Sequence, residues 1–109
     1  MKPLLPSLRE RKRYLVFEVI SKKKLTSMPD KEIKDSMRKL HGDIGLGKSG
    51  LIFLKNKWNQ ILQRGIIKVN YKYVDQLRAA LCSFHNRDAI IRSVGVSGIL
   101  KKAEEKYLG

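Results

Sequence analysis

One run of residues has the types and spacing that bind phosphate. Gly42-Asp43-Ile44-Gly45-Leu46-Gly47-Lys48-Ser49 fits the phosphate-loop pattern G-x-x-x-x-G-K-S/T letter for letter. In such a loop, backbone N–H groups cradle phosphates, the lysine neutralises them and the hydroxyl binds magnesium. The chemistry requires a strand before the loop and a helix after it, so that the helix N-terminus faces the anion. Here the order is reversed. Helical spacing precedes the run, and Leu51 to Leu54 after it reads as a strand. The chain is also too short for the parallel sheet that usually surrounds such a loop. The context argues against nucleotide hydrolysis. What remains is a Gly-rich loop over 45–50 that lets Lys48 reach a phosphate of RNA.

No other set of residues reads as catalytic. His41 and His85 stand at the ends of helical segments, where a cation is favourable. Cys82 sits on or beside an apolar stripe and has no second cysteine to pair with. Glu18, Asp30, Asp35, Asp43, Asp75 and Asp88 are scattered, with no paired carboxylates. No metal site, cofactor or catalytic residue is expected of this chain.

Charge is the dominant feature. Lys and Arg number 24 against 10 Asp and Glu, a net +14 over 109 residues. Such an excess repels itself in the compact state, and a bound polyanion offsets that cost. Nucleic acid is the commonest such partner. An anionic membrane would need an amphipathic helix with a large apolar face, which no segment shows. No apolar run approaches the roughly 18 residues of a membrane span. Met1 to Pro6 is too short and Pro-rich for a secretion signal, and a single cysteine suits a reducing interior, so the cytoplasm is expected.

The cations fall in clusters. Arg9, Arg11, Lys12 and Arg13 are dense and adjoin an apolar segment, which suits phosphate contact. Lys22, Lys23 and Lys24 occupy a connection, and Lys55, Lys57 and Arg64 flank a central hairpin. Such contacts supply affinity without reading sequence. Tyr14 and Trp58 could stack on unpaired bases, each worth roughly 1–3 kcal/mol, or could be partly buried packing groups. The usual RNA-recognition sheet carries aromatics on its third strand. Residues 61–69 carry none.

These side chains need a scaffold to hold them. Residues 1–13 read as a basic arm, and 14–109 as one domain. Tyr14 to Ile20 is a strand with Leu15, Phe17 and Val19 on one face. Ser27, Pro29 and Asp30 suggest a capped helix start, with Ile33, Met37 and Leu40 at helical spacing until Gly42 stops it. Leu51 to Leu54 and Ile61 to Val69 follow as strands, with Gly65 a possible bulge. Asn70 can cap a helix whose stripe is Val74, Leu77, Leu81 and Phe84. Ala89 to Val94 is a fourth strand. After a turn at Gly95-Val96-Ser97-Gly98, a short helix runs from Ile99 to Tyr107. The order is βαββαβ plus a tail helix: an α+β, ferredoxin-like sandwich with a four-stranded antiparallel sheet. Right-handed crossovers put both helices on one sheet face. The other face carries the apolar residues Val16, Ile52 and Ile66, and suits a partner or the tail helix.

Two stretches carry a family resemblance. They are Leu8-Arg9-Glu10-Arg11-Lys12-Arg13-Tyr14-Leu15-Val16-Phe17-Glu18-Val19 and Ile90-Ile91-Arg92-Ser93-Val94-Gly95-Val96-Ser97-Gly98-Ile99-Leu100-Lys101-Lys102. They resemble the opening and closing segments of the archaeal ribonuclease P component 2 family, which has eukaryotic relatives. Tyr71 to Phe84 is similar to that family's second helix. The resemblance covers nearly the whole chain and implies the same ferredoxin-like fold. It further implies a subunit of the ribonucleoprotein that hydrolyses the 5′ leader from precursor tRNA, with chemistry performed by RNA and the RNA's own magnesium. Expected partners are the ribonuclease P RNA, protein component 3 and nearby precursor tRNA. On this view Arg9, Arg11, Lys12, Arg13, Lys22, Lys23, Lys48 and Arg92 are candidates for RNA contact. Val16, Ile52, Ile66 and Ile99 are candidates for the protein partner. The Gly-rich run 42–50 and the quick ending after Tyr107 depart from the family pattern. Another RNA-binding sandwich, for instance a ribosomal one, is the alternative.

Overall fold

A computed structural model describes residues 11–83 and 89–108. The elements are β1 (Lys12–Ser21), α1 (Asp30–Ser49), β2 (Ile52–Phe53), β3 (Arg64–Asn70), α2 (Val74–Cys82), β4 (Ala89–Ser97) and α3 (Leu100–Ala103). A π-type turn over Glu104–Leu108 continues α3. The four strands form one sheet in the order β2-β3-β1-β4. Every neighbouring pair is antiparallel. This is the α+β, ferredoxin-like arrangement expected from the βαββαβ order.

The strand alternation in β1 divides the molecule into two layers. Leu15, Phe17 and Val19 face the helices, where they join Ile33, Met37, Ile67, Val69, Leu77 and Leu81 in the main core. Val16 and Ile66 project from the opposite face, where Ala103, Leu100 and Tyr107 of the tail pack against them. The tail therefore forms a third, partial layer.

Several boundaries differ from the sequence reading, each for a local reason. β1 begins at Lys12, so two residues assigned to the arm pair with Asn70 and Val69 in the sheet. Ser27 makes no cap: α1 opens after Pro29 without a side-chain cap bond. Gly42 does break the helix, with φ 74° and ψ 176°, but the chain resumes a helical path to Ser49. Gly50, at φ 60° and ψ 40°, is the actual end, so 45–50 is mostly helix and not an open loop. Leu40 remains about half exposed, at 48%. Residues 61–63 are turn, and β3 starts only at Arg64. Gly65 is not a bulge. It pairs in register with Phe17, and a Cβ there would lie 2.8 Å from the Phe17 ring and the Met28 methyl. The irregularity is instead in β4, where Val94 is the extra residue between Gly95 opposite Val16 and Ser93 opposite Phe17. β4 continues through Gly95, Val96 and Ser97, leaving the turn to Gly98 and Ile99. Asn70 makes no side-chain cap; a 3₁₀ turn over Tyr71–Tyr73 leads into α2. The proposed end of that stripe, Phe84, lies outside the described residues, as do His85 and Arg9.

Candidate nucleic-acid interface

The N-terminal end of β1 brings together cations that lie far apart in sequence. The backbone N–H of Tyr71 donates to the Arg11 carbonyl at 2.8 Å, which ties the start of β1 to the turn before α2. The α1 terminus arrives at the same end, because Asn70 Nδ2 donates to the Lys48 carbonyl at 3.5 Å. Lys12, Lys48 and Lys72 then line a groove of about 440 Å³ with Gly47, Gly50 and Tyr73. Arg13 lies beside Gly98, where a Cβ would stand 3.4 Å from Nη1. Lys68, one row into the sheet, holds its ammonium 6.0 Å from the Tyr14 ring centre.

Ion pairing sharpens this asymmetry. Arg38 pairs with Asp35 and Asp43, Lys55 with Asp30, and Lys57 with Glu104. Glu18 is shared by Arg64 and Arg92, and Asp75 lies 3.9 Å from Arg78. Among the described residues, Arg11, Lys12, Arg13, Lys48, Lys68 and Lys72 make no ion pair. Most described acids are thus engaged away from this end, and its positive potential is not neutralised locally.

The loop that matched the phosphate pattern has the wrong polarity for a nucleotide. Lys48 and Ser49 sit in the last turn of α1, where carbonyls project and not amides. The Ser49 hydroxyl is buried and donates to the Leu46 carbonyl at 2.6 Å. Lys48 nonetheless stands with Lys12 and Lys72.

The remaining candidates separate. Lys22 and Lys23 are exposed just beyond the far end of β1. Ten strand residues rise about 30 Å, so these lysines belong to a different surface. Arg92 is held by Glu18, with Nε at 3.0 Å and Nη2 at 2.9 Å, although its side chain is still 60% exposed. Arg64 Nε donates to the other Glu18 oxygen at 2.8 Å, and its Nη1 donates to the Tyr107 carbonyl at 2.9 Å. Burial pushes the Glu18 carboxyl up. The Arg64 hydrogen bond and the charges of Arg92 and Arg64 outweigh that and hold it below the ordinary range. This cluster pins the tail to the sheet.

Two apolar candidates need correction. Val16 and Ile66 have no exposed surface, because the chain's own tail covers them. Ile52 and Ile99 are half exposed, at 49% and 52%. Trp58 stacks on Phe17, with centroids 6.1 Å apart, and belongs to the core side. Lys68 and Lys72 were missed from sequence. The register Tyr14 to Lys68 places the first beside β1, and the Tyr71 to Arg11 backbone bond and the shared groove bring the second to Lys12. No group of three His, Cys, Asp or Glu among the described residues could hold a metal ion. No described helix is long and apolar enough to cross a membrane.

Comparison with known proteins gives a consistent result. The sequence profile of the Rpp14/Pop5 family matches residues 13–108. Ribonuclease P protein component 2 of Pyrococcus abyssi is 34% identical, over 99% of this chain and 93% of that protein. The protein of the same name from Methanosarcina mazei is 38% identical, over 99% of this chain and 93% of its own length. That from Pyrococcus horikoshii is 34% identical, with coverage of 99% and 92%.

Proposed function

The chain belongs to the Rpp14/Pop5 family, and from that premise we propose that it is a ribonuclease P subunit that binds and steadies the catalytic RNA. The observation that carries this reading is the end of the sheet where Arg11, Lys12, Arg13, Lys48, Lys68 and Lys72 gather without ion pairs to the described acids. Cations fixed on separate elements screen repulsion between RNA strands that must lie close together. Each phosphate they neutralise releases condensed counterions, which drives association. Bond cleavage belongs to the RNA and its magnesium; this chain supplies charge and shape.

A protein partner, component 3, completes the proposal. Ile52 and Ile99, half exposed, are the surviving sequence candidates for that contact. Precursor tRNA lies near the assembled complex on this reading, and the cytoplasm is its location.

The test is reconstitution of precursor-tRNA cleavage from the cognate RNA and component 3, with and without this chain, at decreasing magnesium. Cleavage that persists to lower magnesium only when the chain is present is the expected result. Identical magnesium dependence in the two mixtures would overturn the proposal.

A further inference from the structure

We infer that Lys12, Lys48, Lys72 and the glycines between them form a built seat for a backbone phosphate of the bound RNA, an inference that rests on the RNA-binding reading above. The three lysines come from three elements: β1, the last turn of α1, and the turn before α2. They converge on one groove of about 440 Å³ whose lining includes no carboxylate. Three lysines lining one space repel one another, no carboxylate joins them in the lining, and Asp75, the acid in the first turn of α2, lies 3.9 Å from Arg78. The carbonyls at the α1 terminus attract a cation, but the helix end carries only about half a charge. That accounts for one lysine and not for three.

The glycines make room for the seat. At Gly50 a Cβ would stand 2.8 Å from the Lys12 ammonium, so the lysine head lies where a side chain would be. At Gly47 an added Cβ would meet nothing within 4 Å, which leaves that wall open to a ligand. The occupant is a polymer phosphate and not a small anion, because the basic surface runs on past the groove. Arg11 and Arg13 flank Lys12 in the chain, and Tyr71, 43% exposed, sits beside Lys72. The Lys72 ammonium is 5.9 Å from the Tyr71 ring centre, so the two present one charged and aromatic rim.

The experiment is lysine acetylation of the full chain, read by mass spectrometry, with cognate ribonuclease P RNA, with inorganic phosphate at matched phosphate concentration, and with neither. Protection of Lys12, Lys48 and Lys72 by RNA alone, with exposed Lys39 on α1 still modified, is the expected pattern. Equal protection by inorganic phosphate would make the groove a small-anion site and overturn the assignment. RNA bound with all three lysines still modified would also overturn it, while leaving the RNA-binding reading intact. No RNA binding by the parent chain would overturn both. A Lys12→Gln, Lys48→Gln, Lys72→Gln variant supplies a second measure. Its affinity at 0.1 M salt should fall on the order of a hundredfold, with the salt slope reduced by about 2 to 3. An unchanged slope in the folded variant would contradict the seat; if the variant does not fold, protection in the parent decides.

Discussion

Glu18 is the residue on which the sheet's second face is organised. Its side chain is 17% exposed, and that of Arg64 is 23% exposed. Their contact is therefore only weakly screened, whereas the exposed Arg92 contributes little to stability. Because the Glu18 pKa is depressed in the fold, its stabilising contribution is complete above the unfolded value of 4.5. It is lost as pH falls from there through the folded value. Glu18→Gln should cost about 1–2 kcal/mol at neutral pH, measured by urea unfolding. The gap between variant and parent should close as pH falls below 4.5. Gly50 makes a second prediction at this scale. Its φ of 60° tolerates only glycine well, and the Lys12 ammonium lies 2.8 Å from where a Cβ would stand. Gly50→Ala should cost about 1 kcal/mol and also shift the Lys12 signals in an NMR spectrum, which a purely backbone effect would leave in place. Residue identities disclosed the density of charge but not its partners. Lys48 was legible as a phosphate candidate, though from a motif whose required context is absent. Lys72 was not legible, since nothing local distinguishes it from any surface lysine.

The elements repeat that division between what is local and what is not. Period-two alternation in β1 and the stripe through Leu77 and Leu81 are local patterns, and the structure reproduces both. The closing of the second sheet face is not local. Val16 and Ile66 mark an apolar face that suits either a partner or the tail helix, and their identities do not decide between the two; in the fold the tail covers both. The decisive feature is Gly95. An added Cβ there would lie 2.0 Å from the Tyr107 hydroxyl, so the tail docks only because this strand position has no side chain. Gly95→Val should displace Tyr107 and loosen the tail, at a cost of about 1–3 kcal/mol. Hydrogen exchange should then accelerate at the Ala103 amide, which donates to the Ile99 carbonyl at 3.1 Å, while the amides of β1 and β3 remain protected. Unchanged exchange at Ala103 would show that the tail does not depend on that contact. The helix through Gly42 teaches the complementary lesson. A glycine breaks the helical path there, but the helix resumes, and it is this extra length that carries Lys48 to the groove.

For the molecule as a whole, the excess of +14 has to be met by something outside the chain. The fold concentrates part of it at one sheet end while acids and bases pair elsewhere. Affinity for structured RNA should consequently fall linearly in log–log terms with salt. With six engaged cations the loss is on the order of a thousandfold between 50 and 200 mM, measured by filter binding. A shallow dependence would mean that the basic end is not the contact surface. The central claim, that this sandwich is a scaffold for ribonuclease P RNA, is tested most directly by recovering the chain from its own cells and sequencing the RNA bound to it. The account predicts strong enrichment of ribonuclease P RNA; enrichment of ribosomal RNA in its place, or of no structured RNA, would contradict it.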